Sequence, residues 1–372
     1  MPIVPLFGHA ALLERLYLAH RRGTLPGSVL LHGPAGVGKQ RLALELGRMI
    51  LCTGAGDAAA GGHVTPPCGE CQACRYSAEL QHPDLHWFFP RERLKESDPD
   101  AATVRSVFAD AIATRVAAGG LYPPPEPQHS LHIATMRTIV HLAQAAPAIG
   151  RYRVFVIGDA ETMVSQESSP EGANVFLKLL EEPPPGLYLI LASSEPGALL
   201  PTVKSRLVSV RVPPLGAEEI REFLGDPRVR EAVGLGSVSG GRMSSRVDEL
   251  VAVAGGAPGR LLSVEGTDEA MAAASRLLDA VMGNRKSQVY RAAFTQGSAG
   301  ARGQYTVTLE ALLTSLREIA RSAVEAGDTY TASRAAAGIS AIERARERAF
   351  GNISPQVATL EMLRELRVLL AR

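Results

Sequence analysis

LLHGPAGVGKQ, residues 30–40, is the stretch on which the reading of this chain turns. An apolar run ends in a glycine-rich loop with lysine at its close, and a helical pattern, RLALELGRMIL, follows at once. That is the strand, phosphate loop and helix of the pattern G-x-x-x-x-G-K-[ST]. Gly33, Gly36 and Gly38 allow backbone N–H groups to converge on phosphate oxygens, and Lys39 reaches the β and γ phosphates. The hydroxyl that should follow the lysine to hold magnesium is replaced by Gln40.

Working outward, the short β-branched or aromatic runs SVLLH (28–32), DLHWFF (84–89), RVFVI (153–157), LYLILA (187–192) and LVSVRV (207–212) are predicted strands. They alternate with helical patterns, which predicts an α/β domain with a parallel sheet covered by helices. The second magnesium ligand of such a site is an acid at the end of a second apolar strand. Here that strand is followed by Gly158, with Asp159 one place later, in VFVIGDAE (154–161). With Gln40 and Gly158 in the two ligand positions, ATP hydrolysis is expected to be very slow or absent and nucleotide binding weak or lost.

All four cysteines lie between 52 and 74: Cys52, then Cys68, Cys71 and Cys74 in CGECQAC. Two overlapping C-x-x-C turns and one distal thiol suit tetrahedral zinc. A closed set of four thiolates leaves no position for water, so the metal is expected to be structural. Redox use of the thiols is the competing reading.

The sheet pattern ends near 213. Residues 214–265 carry short amphipathic segments, AEEIREFL and SSRVDELVAVA, between glycine-rich turns, and 266–372 stay helical. One stripe runs through Leu309, Leu312, Leu313, Leu316 and Ile319; another, from a helix starting at Ser354 and Pro355, through Val357, Leu360, Leu363, Leu366 and Leu370. Core packing within the domain is the plainer use of both. The stretches 53–67 and 91–130 are expected to be poorly ordered loops or insertions.

The 372 residues are 46% hydrophobic and 21% charged with net charge +1, which excludes a broad basic DNA-binding field and a membrane-spanning composition. The amino-terminal stretch lacks the pattern of a secretion signal, so a cytoplasmic location and no membrane partner are expected.

Taken in order, the phosphate loop, the cysteine insertion, VFVIGDAE, KLLEEPPP (178–185), LILASSEP (189–196) and LLPTVKSRL (199–207) resemble the bacterial clamp-loader subunits of DNA polymerase III, members of the AAA+ class. The resemblance implies an AAA+ P-loop domain over 1–213 with a zinc module at 52–74, a helical lid over 214–265 and a helical collar for oligomerisation over 266–372. Within the family, Gln40 and Gly158 resemble the delta-prime type, whose site is degraded. This implies a stator that assembles with gamma/tau and delta subunits in a hetero-pentamer and meets the sliding clamp and primed DNA through that complex.

By the same resemblance, Arg206 of the Ser205-Arg206 pair is an arginine finger acting on a neighbour's ATP, with Leu207 where the family usually has cysteine. Ser194 matches the position that senses the γ-phosphate, and Arg260 in AGGAPGRLL (254–262) lies near a second sensor, in a register left open by an extra glycine. The alternative reading is an active ATPase of gamma/tau type, and a third is a zinc-dependent nucleic-acid module. Neutral charge and the lack of aromatic residues among the cysteines weigh against the third.

Overall fold

The computed structural model describes residues 3–54, 67–94, 96, 99–126, 129–165, 170–235, 241–262, 264–283, 286–294, 302–349 and 355–370. Two compact units divide the chain, Met1–Leu262 and Ser263–Arg372.

The first unit is built on five strands: β1 (Ser28–His32), β2 (Leu85–Phe88), β3 (Arg153–Ile157), β4 (Leu187–Ser193) and β5 (Val208–Arg211). They form one parallel sheet in the order β2-β3-β4-β1-β5. Each expected strand is present. Parallel strands covered on both faces read as continuous apolar runs. Accordingly β3 is buried throughout, while β5, at the sheet edge, is largely exposed. The helix Lys39–Leu51 packs on the sheet through Leu42, Ala43, Leu46 and Ile50, all buried.

Residues 91–130 depart from expectation. They contain a 17-residue helix, Ala101–Ala117, capped by the Asp100 carboxylate, which accepts a hydrogen bond of 2.7 Å from the Thr103 N–H. Val104 and Phe108 anchor it, the latter edge-on to Phe88 and Phe89 at 4.9 and 5.4 Å between ring centroids. Its alanine-rich sequence shows no strong apolar stripe, and two rings buried on β2 and just beyond it provide the docking surface that sequence periodicity could not. From 55 to 66, the other stretch expected to be poorly ordered lies outside the described residues.

Residues 214–262 hold the helices Ala217–Gly225, Pro227–Ala232 and Gly241–Ala254 around a core of their own, with Leu215, Ile220, Phe223, Leu224, Val229 and Leu261. Val4 belongs to that core too, and its N–H donates to Gly119 O at 2.7 Å.

The second unit consists, among the described residues, of five helices: Val264–Met282, Lys286–Phe294, Arg302–Glu325, Thr329–Ala349 and Pro355–Leu370. Leu309, Leu312, Leu313, Leu316, Leu363 and Leu366 are buried in its core, as the stripes predict. Ile319 and Val357 are instead 39% and 53% exposed, so each stripe is shorter at one end than its periodicity. The helix turns these ends out of the core, since a straight 3.6-residue spiral drifts away from a fixed contact line.

Candidate nucleotide site and metal centre

Parallel α/β sheets bind ligands outside the carboxyl ends of their strands. There the fold gathers Gly33 to Gln40 after β1, Asp159 after β3 and Ser194 after β4. Gly33 is required sterically: a β-carbon there would lie 2.2 Å from the Val212 carbonyl oxygen.

Lys39 is 5% exposed and bent back onto its own loop. Its ammonium donates to the carbonyls of Gly33 at 2.9 Å and Pro34 at 2.8 Å and to Ser194 Oγ at 2.9 Å. An ammonium has three protons, so these contacts account for all of them. Ser194 is held from its other side, its N–H donating to Glu161 Oε1 at 3.0 Å. Two further loop carbonyls also have partners within the chain: Gly259 N–H donates to Gly36 O at 2.8 Å, and the His9 ring meets Val37 O at 3.0 Å. The short helical turn Pro258–Leu262 thereby brings the backbone of Gly259 and Arg260 onto the phosphate loop.

Gln40 makes two hydrogen bonds that fix its amide. Nε2 donates to Asp159 Oδ2 at 2.9 Å, and Oε1 accepts from the Trp87 indole at 2.9 Å. Asp159 sits in the left-handed region at φ 47°, a conformation Asp tolerates better than most residues. Burial, reinforced by the nearby Glu161 charge, pushes its carboxyl up to about 6, against the opposing pull of Lys39, Arg115 and the Gln40 hydrogen bond.

Two residues at this site have no counterpart in the sequence reading. Trp87 on β2 is one. The other is Arg115, whose guanidinium lies over the rings of Trp87, Phe89 and Tyr122 at 4.6, 3.3 and 3.8 Å from their centroids. Burial lowers the Arg115 pKa to about 10. The alternation Trp87-x-Phe89 on a strand was the available signal for a shared aromatic face; nothing local tied Arg115 to it.

Arg206 stands apart from this cluster. Val208 on β5 is level with Val29 on β1, four residues and roughly 13 Å short of Gly33, and Arg206 precedes Val208. It lies toward the amino ends of the strands, away from the chain's own phosphate loop.

The four cysteines converge. Their sulfurs lie within 4.8 Å of one another, and Cys68 Sγ and Cys74 Sγ are 3.8 Å apart. A tetrahedron of thiolates at about 2.3 Å from a metal has edges of about 3.8 Å, so the donor set could hold a metal ion. Backbone N–H groups point at the sulfurs: Cys68 N to Cys52 Sγ at 3.5 Å, Cys71 N to Cys68 Sγ and Cys74 N to Cys71 Sγ at 3.4 Å each. Burial alone would raise the Cys71 thiol, but hydrogen bonds from Thr53 and from the Cys74 and Gly54 N–H groups outweigh it and hold it at about 5. Cys74, the buried member, is pushed up by desolvation.

Residues 8–216 match the family model described as DNA polymerase III, delta subunit. The chain belongs to that family. Within it, the relatives place this member with the delta-prime type. It is 30% identical to DNA polymerase III subunit delta' of Pseudomonas aeruginosa over 62% of this chain and 52% of the relative. It is 24% identical to subunit delta' of Bacillus subtilis over 57% of this chain and 50% of the relative. It is 27% identical to DNA polymerase III subunit tau of Escherichia coli over 54% of this chain and 24% of the relative. The alignments thus span about half the length of the delta' relatives and a quarter of tau. These similarities identify a clamp-loader family subunit.

Proposed function

We propose that this clamp-loader family member is a non-hydrolysing stator: it assembles with gamma/tau and delta subunits into a hetero-pentamer that loads the sliding clamp onto primed DNA. The reading rests on the Gln40 amide, which stands where the loop hydroxyl would ligate magnesium and is tied to Asp159 and Trp87 on both of its polar atoms. Phosphoryl transfer asks a protein chiefly for positioning and charge neutralisation, and a site without a divalent cation lacks the larger part of the second. With Lys39 donating inward to Gly33, Pro34 and Ser194, ATP is bound weakly or not at all.

In this proposal Arg206 acts in trans on the nucleotide of an adjoining subunit. Its place near the strand ends opposite the chain's own loop supports that role. The guanidinium is a permanently charged, planar donor suited to charge growing on a transferred phosphoryl group. The four cysteines hold one structural Zn²⁺. Residues 1–213 serve as the AAA+ body, 214–265 as its lid and 266–372 as the collar that joins the ring. No helix among the described residues is long and apolar enough to cross a membrane, and the proposed place of work is the cytoplasm.

Steady-state ATP turnover of the purified chain, alone and mixed with gamma/tau and delta subunits, tests the reading. No turnover alone, with an assembled complex whose turnover falls when Arg206→Ala replaces the wild-type chain, is expected. Magnesium-dependent turnover by the isolated chain overturns the proposal in favour of an active gamma/tau-type ATPase.

A further inference from the structure

We infer that Glu181 is a positioning residue that aims the Arg206 guanidinium at an incoming phosphate group. The inference rests on the reading of Arg206 as a finger in trans.

Arg206 Nε donates to Glu181 Oε1 at 2.8 Å, and Nη2 donates to the same oxygen. On the opposite side Nη1 donates to Thr202 O at 2.7 Å, with Ser205 Oγ at 3.4 Å. All three nitrogens are therefore engaged, which fixes the plane of the group. A guanidinium carries five N–H donors; with Nη1 serving both Thr202 O and Ser205 Oγ, this arrangement leaves the second proton of Nη2, and the 3.4 Å contact to Ser205 is the longest of the set. That Nη2 proton and the Nη1 proton shared with Ser205 form the end of the fork, the edge that grips a phosphate or carboxylate bidentately, and such a grip replaces the long Ser205 contact.

Both partners are anchored by buried neighbours while their own side chains reach solvent, at 31% exposure for Arg206 and 46% for Glu181. Leu207 and Val203 hold the Arg206 backbone in the core, and Leu179 and Leu180 hold that of Glu181. The helix Pro170–Glu181 ends at Glu181 because Pro183, Pro184 and Pro185 cannot continue it. Pro183 packs so closely on Gly27 that a β-carbon there would meet its Cγ at 3.1 Å. The carboxylate is thus set at a defined height beside the amino end of β1.

Its position is costly without such a role. The carboxyl end of a helix carries partial negative charge, so an acid there is disfavoured by about 0.3–1 kcal/mol. Glu181 stands at that end, with Glu182 after it, and the Arg206 cation offsets the repulsion. An exposed pair contributes little to stability, so what it supplies is orientation.

The test uses the reconstituted loader with this chain as wild type, Glu181→Ala, Glu181→Gln, Arg206→Ala and the Glu181→Ala/Arg206→Ala double variant. Expected is a fall in kcat of about three- to tenfold for Glu181→Ala with KM for ATP unchanged, since misaiming a positioned group slows the chemical step. Glu181→Gln, which keeps an oxygen acceptor, should recover most of the loss. In the Arg206→Ala background Glu181→Ala should cost nothing further, and its melting temperature should match the wild type. Unchanged or raised kcat in Glu181→Ala, or an equal loss in the Arg206→Ala background, overturns the inference while leaving the finger standing. Unchanged turnover in Arg206→Ala overturns the finger, and the inference with it.

Discussion

The side-chain amide of Gln40 lies against the α-carbon of Gly158, so close that a β-carbon on that glycine would stand 2.2 Å from Oε1 and 2.5 Å from Nε2. The two residues that replace the expected magnesium ligands therefore fill one space between them. The amide as held by Asp159 and Trp87 and a side chain at 158 compete for that space, so a change at one position bears on the other.

That interdependence predicts strong non-additivity. Gly158→Asp alone should destabilise the fold by about 1–3 kcal/mol through overpacking against the amide. Gln40→Thr alone should cost about 1–2 kcal/mol by leaving the Trp87 indole unpaired. The double variant should be more stable than the sum of the two, by at least ~1 kcal/mol, because threonine vacates the space the new acid enters. Urea unfolding of all four proteins measures the coupling, and additive costs would count against the shared space.

Trp87 is the only tryptophan in the chain and lies 3% exposed under the Arg115 guanidinium, so its fluorescence reports on the cage directly. Arg115→Ala should open the cage to water, shift the emission to longer wavelength and lower stability by roughly 1–2 kcal/mol. An unchanged spectrum in a folded variant would contradict the packing of Ala101–Ala117 over β2.

Asp159 predicts an unusual pH dependence. Burial pushes its carboxyl up to about 6 in the folded chain, above the ordinary aspartate value of 3.8, so between those limits the folded state holds the proton more tightly. The group then contributes more favourably to stability below about pH 4, and that contribution is lost as pH rises through 6. Asp159→Asn keeps an acceptor for Gln40 and removes the charge. Its gain over wild type should be near zero at pH 4 and reach about 2–3 kcal/mol by pH 7, each pKa unit being worth ~1.4 kcal/mol. Thermal melts across that range check the sign.

The cysteine cluster predicts one zinc per chain under native mass spectrometry, lost in Cys71→Ser or Cys74→Ser. Zinc release followed with a colorimetric chelator should rise on acidification, as protons compete with the metal for the thiolates. Removing the metal should unfold the Gln72–Ala78 helix, since binding contributes on the order of 10 kcal/mol to ordering such a module.

The centre of the sheet was legible because β1, β3 and β4 are short, nearly continuous apolar runs, and burial on both faces demands that pattern; the exposed edge strand β5 showed instead as the alternation VSVR. The phosphate loop and the cysteines were legible because their chemistry is confined to a few neighbouring positions. Gln40 and Gly158 could each be read as a missing ligand. Their contact, made across 118 residues of chain, could not. Nor could the cage around Arg115, since Ala101–Ala117 carries no apolar stripe and docks through two rings that only the folded sheet presents.

Local sequence by itself thus determined the strands, the loop that follows β1, the spacing of the thiols and the presence of Gln40 and Gly158 where magnesium ligands are expected, because each is a property of adjacent residues. Tertiary structure alone decided what occupies the vacated space, which carboxylate holds Arg206 and where that arginine stands relative to its own loop. Those are distances between segments far apart in the chain, and they are fixed by packing rather than by composition.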